Sequence, residues 1–246
     1  MMFETRSRAK IGVLVPFTNC NLEPDMELMR PPDTTVHFAR LGGYDVDEIP
    51  GSDQMAGLGA APLEEPLHLL SGVRPDVILY GCTSATLTHG TSFDNDLAAK
   101  IKASSGALSL TAAGSLVSAI KALGVRKIGF ASPYLGEINE QANTFLTEFQ
   151  IKTVHCADIG RALGNYGQGE LTPAEVFDLA LRANHPEAEA IVLSCTDMRS
   201  VEIIEKLEKE IDKPVVTSNQ AMMFCLMKAL RLSRHVNAPG RLFDHL

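Results

Sequence analysis

The sequence predicts an α/β protein whose two halves repeat one another, each half a four-stranded parallel sheet flanked by helices. Three observations lead there. Short β-branched runs alternate with helical patterns, as in successive βα units. Several of these runs are apolar without alternation, as strands covered on both faces are. The chain also matches itself three times in the same order: residues 11–17 with 128–134, 75–83 with 189–196, and 108–123 with 215–230. The offsets of 117, 113 and 107 residues differ only by small loop insertions, which marks a two-fold internal repeat.

Taken along the chain, strands are expected at 11–15, 35–39, 76–80, 108–110, 127–131, 151–155, 190–193 and 214–217. The first is a short apolar run that stops before polar Thr18, Asn19 and Cys20. Residues 42–61 make a connection unusually long for a compact α/β unit, which suggests a lid or an oligomer contact. Within it, Gly57-Leu-Gly59 lacks the third glycine and the preceding strand of a dinucleotide loop, so it reads as a plain loop. Gly124 after Leu123 marks a helix C-terminus. Ile138, Ala142, Phe145, Leu146 and Phe149 recur at helical spacing. Thr172-Pro-Ala-Glu175 is a capping box with proline in the first turn. Val201, Ile204, Leu207 and Ile211 form the apolar face of a later helix, opposite Glu202, Glu205, Lys206, Glu208 and Lys209. Asp197 is its expected N-cap.

Composition limits the functions open to the chain. Its 22 basic and 30 acidic residues give a net charge of −8, which offers no electrostatic footprint for nucleic acid. No apolar run approaches the ~20 residues of a membrane helix. The run behind the charged N-terminus is too short for a signal sequence, so a cytoplasmic protein is expected. The 5 cysteines are odd in number and include no C-x-x-C pair, and the 7 histidines are scattered. Neither a disulfide framework nor a metal site is expected.

The repeat sorts the cysteines. Cys82 and Cys195 occupy the same place in each half, just past a buried strand and followed by threonine. Ligands of open parallel sheets bind beyond the carboxyl ends of the strands. With Asp197 as a cap, Cys195 would sit at a helix N-terminus, where the dipole lowers a thiol pKa. The small residues of Gly81-Cys-Thr-Ser-Ala-Thr86 let backbone N–H groups converge on an anion. A single free cysteine is ordinarily a small buried hydrophobe; two in matched positions suit chemistry. One thiolate attacks or removes a proton from one face of a small substrate, and the other thiol delivers a proton to the opposite face. Backbone N–H groups around Thr83, Ser84 and Thr196, with hydroxyls and an asparagine, would hold a carboxylate. No metal or organic cofactor is required. Cys156 and Cys225 read as core, Cys20 as structural, and His89 as a plain loop histidine because the second half has no counterpart.

Val15-Pro-Phe-Thr-Asn19, Tyr80-Gly-Cys-Thr-Ser-Ala85, Ser132-Pro-Tyr134, Leu193-Ser-Cys-Thr196 and Pro214-Val-Val-Thr-Ser-Asn-Gln-Ala221 carry a family resemblance. Over nearly its whole length the chain resembles the aspartate/glutamate racemase superfamily, in the branch of maleate cis–trans isomerases and arylmalonate decarboxylases. The resemblance implies two pseudo-symmetric domains with the active site in the interdomain cleft. It places residues 1–112 plus 218–246 in one domain, with a returning last helix, and 113–217 in the other. It also implies that Asn19 and Asn165 bind substrate carboxylates, that Cys82 attacks a double bond, that Tyr134 lines the site, and that Cys195 is the second catalytic cysteine. On their own residues, Asn19 and Asn165 also read as turn residues, and Tyr134 as packing.

Two departures from the branch matter. Maleate isomerases tend to be more apolar after the first cysteine, whereas Thr83-Ser84 matches the pair that holds a carboxylate in the decarboxylases. The decarboxylases have glycine at the position of Cys82, and this chain keeps both thiols. The parts around Cys82 and Ser218-Asn-Gln-Ala221 also look like the ectoine-utilisation racemase-like proteins. The expected function is therefore a cofactor-independent isomerase or racemase of a small carboxylate or dicarboxylate, acting as a homo-oligomer (dimer or tetramer). The alternatives are an arylmalonate-type decarboxylase using Cys195 as proton donor and a non-catalytic carboxylate-binding protein.

Overall fold

The structure is a computed structural model of the chain and describes residues 8–43 and 51–246. The first half runs through β1 (Ala9–Pro16), α1 (Leu22–Leu28), β2 (Thr34–Leu41), α2 (Ser52–Ala60), α3 (Glu64–Ser71), β3 (Val77–Tyr80), α4 (Thr83–Leu87), α5 (Gly90–Ser105) and β4 (Leu108–Thr111). After α6 (Ala112–Ala122) come β5 (Lys127–Ala131), α7 (Glu137–Glu148), β6 (Lys152–Ala157), α8 (Gly167–Glu170), α9 (Pro173–Ala183), β7 (Ala190–Leu193), α10 (Ile204–Ile211) and β8 (Val215–Thr217). The last helix is α11 (Ser218–Ala229), followed by a 3-10 turn at Arg241–His245.

The strands build two four-stranded parallel sheets of the same order, β2-β1-β3-β4 and β6-β5-β7-β8. The apolar runs explain the centres of these sheets. Every residue of β3 and of β7 is buried, as strands covered by helices on both faces must be. Strand order reverses at β1 in one sheet and at β5 in the other, which opens a crevice beyond the carboxyl ends of β1 and β3 and of β5 and β7. All the strands expected from sequence form, with ends moved by a residue or two.

The third repeat match is out of register by one residue. Tyr80 pairs with Thr111 in the first sheet and Leu193 with Thr217 in the second, so Thr111 corresponds to Thr217 rather than to Ser218. Both threonines are N-caps, accepting from the N–H of Gly114 and of Gln220. The helices they start, α6 and α11, pack on each other. One apolar core runs through both sheets and this helix pair, from Ile11 and Val13 to Phe130, Val192 and Phe224. A second cluster under α2, α3 and α5 includes Leu14, Met55, Leu67 and Tyr80.

Four local expectations are corrected. Residues 44–50 of the long connection lie outside the described residues, and its later part is α2, so Gly57 and Gly59 belong to a helix rather than a loop. Asp197 caps no helix: the chain stays irregular to Ser200, turns once as a 3-10 segment at Val201–Ile203, and only then enters α10. Cys195 is consequently not at a helix N-terminus. Cys156 is exposed on the edge strand β6 and is not core, whereas Cys225 is buried on α11. His89 starts α5, stacks on Phe93 and places Nε2 2.7 Å from the Ala56 carbonyl oxygen, which ties α5 to α2. No helix among the described residues is long and apolar enough to cross a membrane.

Candidate active site

The carboxyl ends of β1, β3, β5 and β7 deliver Asn19, Cys82, Tyr134 and Cys195 to one pocket. Thr196, Asp197, Ser84, Asn165 and Gln168 line it as well, and Met55 and Leu58 of α2 form an apolar side. Its free volume is about 40 Å³. A wider hollow of about 240 Å³ adjoins it, sharing Tyr134 and Gln168.

Each half presents its cysteine differently. Cys82 is the N-cap of α4, so its sulfur faces the N–H groups of Ser84 and Ala85. The Ser84 hydroxyl lies 3.7 Å from the same sulfur. Burial pushes the Cys82 thiol up, and the two N–H groups, which favour a thiolate, oppose it. Gly81 makes this strand end possible: a Cβ there would stand 2.3 Å from Leu22 Cδ2.

Cys195 receives one backbone donor, the N–H of Asp197 at 3.4 Å. Burial, and after it the Asp197 carboxylate, push its thiol up to about 12. The sequence expectation of a dipole-lowered Cys195 is therefore reversed, because no helix begins there. Tyr134 stands between the two thiols. Its Oη is 3.5 Å from Cys195 Sγ and accepts from the Ser84 hydroxyl at 3.3 Å. Cys82, Ser84, Tyr134 and Cys195 thus form one hydrogen-bonded chain. Burial first, then the neighbouring cysteines, hold the phenol well above its ordinary value, so it keeps its proton.

The polar wall opposite is fixed from both halves. Asn19 Oδ1 accepts from the N–H groups of Asn21 and Leu22 at the head of α1. This leaves Nδ2 to donate to Thr196 Oγ1 at 3.0 Å, and Thr196 donates on to the Gly81 carbonyl at 2.9 Å. Asn165 sits in the expected turn and is 6% exposed, inside the pocket. Thr83 does not line the pocket; its hydroxyl turns away and donates to Ser218 Oγ at 2.8 Å. Met55, Leu58, Gln168 and the side chain of Asp197 were not expected in the pocket. The first three come from α2 and α8, which stand at the same place in the two halves but lie outside the three sequence matches. Asp197 was readable, as the residue two places after a cysteine in one half where Ser84 stands in the other. Among the described residues no cluster of histidine, cysteine and carboxylate side chains is arranged to hold a metal ion.

The chain is similar to known proteins over most of its length. A maleate isomerase of Geobacillus stearothermophilus is 25% identical over 251 residues, spanning 96% of this chain and 97% of that one. An arylmalonate decarboxylase of Bordetella bronchiseptica is 28% identical over 168 residues, spanning 66% of this chain and 68% of that one. A solved mutant of Nocardia farcinica maleate cis–trans isomerase, with a covalently bound succinylcysteine intermediate, superposes with a TM-score of 0.85 at 23% identity, covering 96% and 98% of the two chains. At that identity it shows the shared fold. The family model for arylmalonate decarboxylase matches residues 63–243, from α3 through both cysteines to the last turn. The chain belongs to the arylmalonate decarboxylase family, a family of enzymes.

Proposed function

We propose that the protein is a cofactor-independent isomerase of a small unsaturated dicarboxylate, acting as maleate isomerases do. The observation that carries this reading is the pair of buried thiols on one pocket, each from an equivalent strand end and joined through Ser84 and Tyr134. A covalent cysteine intermediate in a structurally similar isomerase supports it.

In the proposed reaction Cys82 thiolate bonds to one carbon of the double bond. The π electrons move to the other carbon, where the adjacent carboxylate delocalises them. Cys195 gives that carbon its proton and becomes a thiolate. The central bond, now single, rotates. Cys195 then takes the proton back, the double bond re-forms in the trans geometry, and the carbon–sulfur bond breaks to release Cys82 thiolate. Asn19, Asn165, Ser84 and Tyr134 are proposed to hold the carboxylates with their side chains, and Thr196, whose hydroxyl proton goes to the Gly81 carbonyl, with its backbone N–H. Thr83 would contribute through its backbone, since its hydroxyl is engaged with Ser218.

The test is proton NMR of maleate with the purified protein in deuterated water. Fumarate should accumulate, and Cys82→Ala and Cys195→Ala should each lower turnover by about 10³-fold or more, the scale of losing a covalent or proton-transfer group. Unimpaired turnover in either variant would overturn the mechanism. Carbon dioxide release from a disubstituted malonate, with no fumarate from maleate, would instead favour the decarboxylase reading, which the Bordetella bronchiseptica relative keeps open.

A further inference from the structure

The repeat makes the two cysteines equivalent, yet the two roles above are not. The residue two places after each cysteine is where the halves diverge: Ser84 in one, Asp197 in the other. Ser84 sets a hydroxyl 3.7 Å from Cys82 Sγ. Asp197 brings a carboxylate that is 8% exposed and lines the pocket beside Cys195. We propose that Asp197 is the positioning residue that makes the thiols unequal, fixing Cys195 as the proton donor and leaving Cys82 as the nucleophile. The inference deepens the isomerase reading and rests on it for the names of the roles.

The geometry gives Asp197 two tasks. Its Oδ1 accepts from the N–H of Cys20 at 2.8 Å and of Asn21 at 3.1 Å, and Asn21 Nδ2 donates to its backbone carbonyl at 2.9 Å. These bonds cross from the second half to the first. They lock the loop that aims Asn19, while the N–H of the same residue holds Cys195 Sγ. The second task is charge. A thiolate at Cys195 would stand beside a carboxylate, and like charges disfavour ionisation. Cys195 therefore waits as a thiol. Once it has protonated carbon, the resulting thiolate is the less stable partner and draws the proton back, which is what the elimination step needs. Burial holds the Asp197 carboxyl at about 6, so it is mostly ionised above neutrality. Asp197 acts on the titratable groups Asp25 of α1, Cys20 ahead of α1, Cys82 at the start of α4 and Cys195; further out, Arg199 and Glu202 act on Asp25, Arg40 of β2 on Cys20, and Tyr134 after β5 on Cys195. Arg199 is engaged with Glu202 at 2.9 Å, and Arg40, which acts on Cys20, is engaged with Glu23 and the Asn19 carbonyl, so among the described residues each of these cations already has partners of its own.

The test needs no substrate, so it separates from the function assay. Iodoacetamide alkylation of each cysteine is followed by mass spectrometry across the neutral to alkaline range in the native chain and in Asp197→Asn. Asparagine keeps the acceptor for Cys20 and Asn21 and removes the charge. In the native chain Cys82 should react faster than Cys195. In Asp197→Asn the Cys195 rate should rise about tenfold, one pKa unit's worth of thiolate, with Cys82 little changed. An unchanged Cys195 profile in that variant overturns the proposal. If the variant does not fold, the native comparison decides alone: Cys195 reacting faster than Cys82 overturns it. Failure of maleate turnover with these thiol reactivities intact would count against the substrate and not against the role of Asp197.

Discussion

At Asp25 a carboxyl on α1 is only 3% exposed and receives Asn219 Nδ2 at 2.7 Å. The same amide donates to the Thr196 carbonyl at 3.0 Å, so Asp25 braces the peptide that follows Cys195. Burial, opposed by that one hydrogen bond, pushes the carboxyl up to about 7 from an ordinary value of 3.8. A carboxyl raised on folding binds its proton more tightly in the folded state. Its stabilising contribution is full below about pH 4 and is lost as the pH rises through 7. Asp25→Asn should therefore raise stability at about pH 8 by on the order of 2 kcal/mol, and the gain should shrink towards pH 4. Urea unfolding at the two pH values checks both sign and trend. The sequence pointed to the cysteine pair because the repeat doubled the signal. Asp25 gave no such signal: its burial depends on α1 meeting α11, a contact between segments far apart in the chain.

β5 shows how closely the elements fit. Gly129 lies in its middle, and a Cβ there would stand 2.1 Å from the Ala183 carbonyl of α9, a backbone atom that cannot step aside. Its repeat counterpart, Gly12 in β1, is crowded by the flexible end of Leu70 at 2.9 Å. Gly129→Ala should cost about 3 kcal/mol and Gly12→Ala clearly less, read as shifts in the denaturant midpoint. Strands were legible because continuous apolar runs have few other uses in a chain of this composition. The capping box at Thr172 was legible for a local reason as well: its side chain accepts from the Glu175 N–H, three residues on. The segment after Cys195 was not. Amphipathic spacing from Val201 to Ile211 does not distinguish a 3-10 turn from the first turn of an α-helix, and Asp197 is drawn off to the loop after β1.

For the whole molecule, the decisive feature is that α6 and α11 pack on one another within a core shared by both sheets. The repeat predicted two like halves but gave no measure of how strongly they interlock, because interlocking is a matter of helix faces meeting across the pseudo-symmetry. Gly124 lies between α6 and β5 at φ +72, exposed, with open space around it. Severing the chain after Leu123 would give two pieces, each carrying one sheet, one of the two central helices and one of Cys82 and Cys195. Neither piece could turn over substrate, and each would expose the apolar face that its helix normally buries. Mixed in equal amounts they should reassemble through α6 and α11, with recovered turnover rising as the square of concentration at low dose. The central helix pair would then act as the clasp of a split enzyme, and its catalysis as the reporter of two polypeptides meeting.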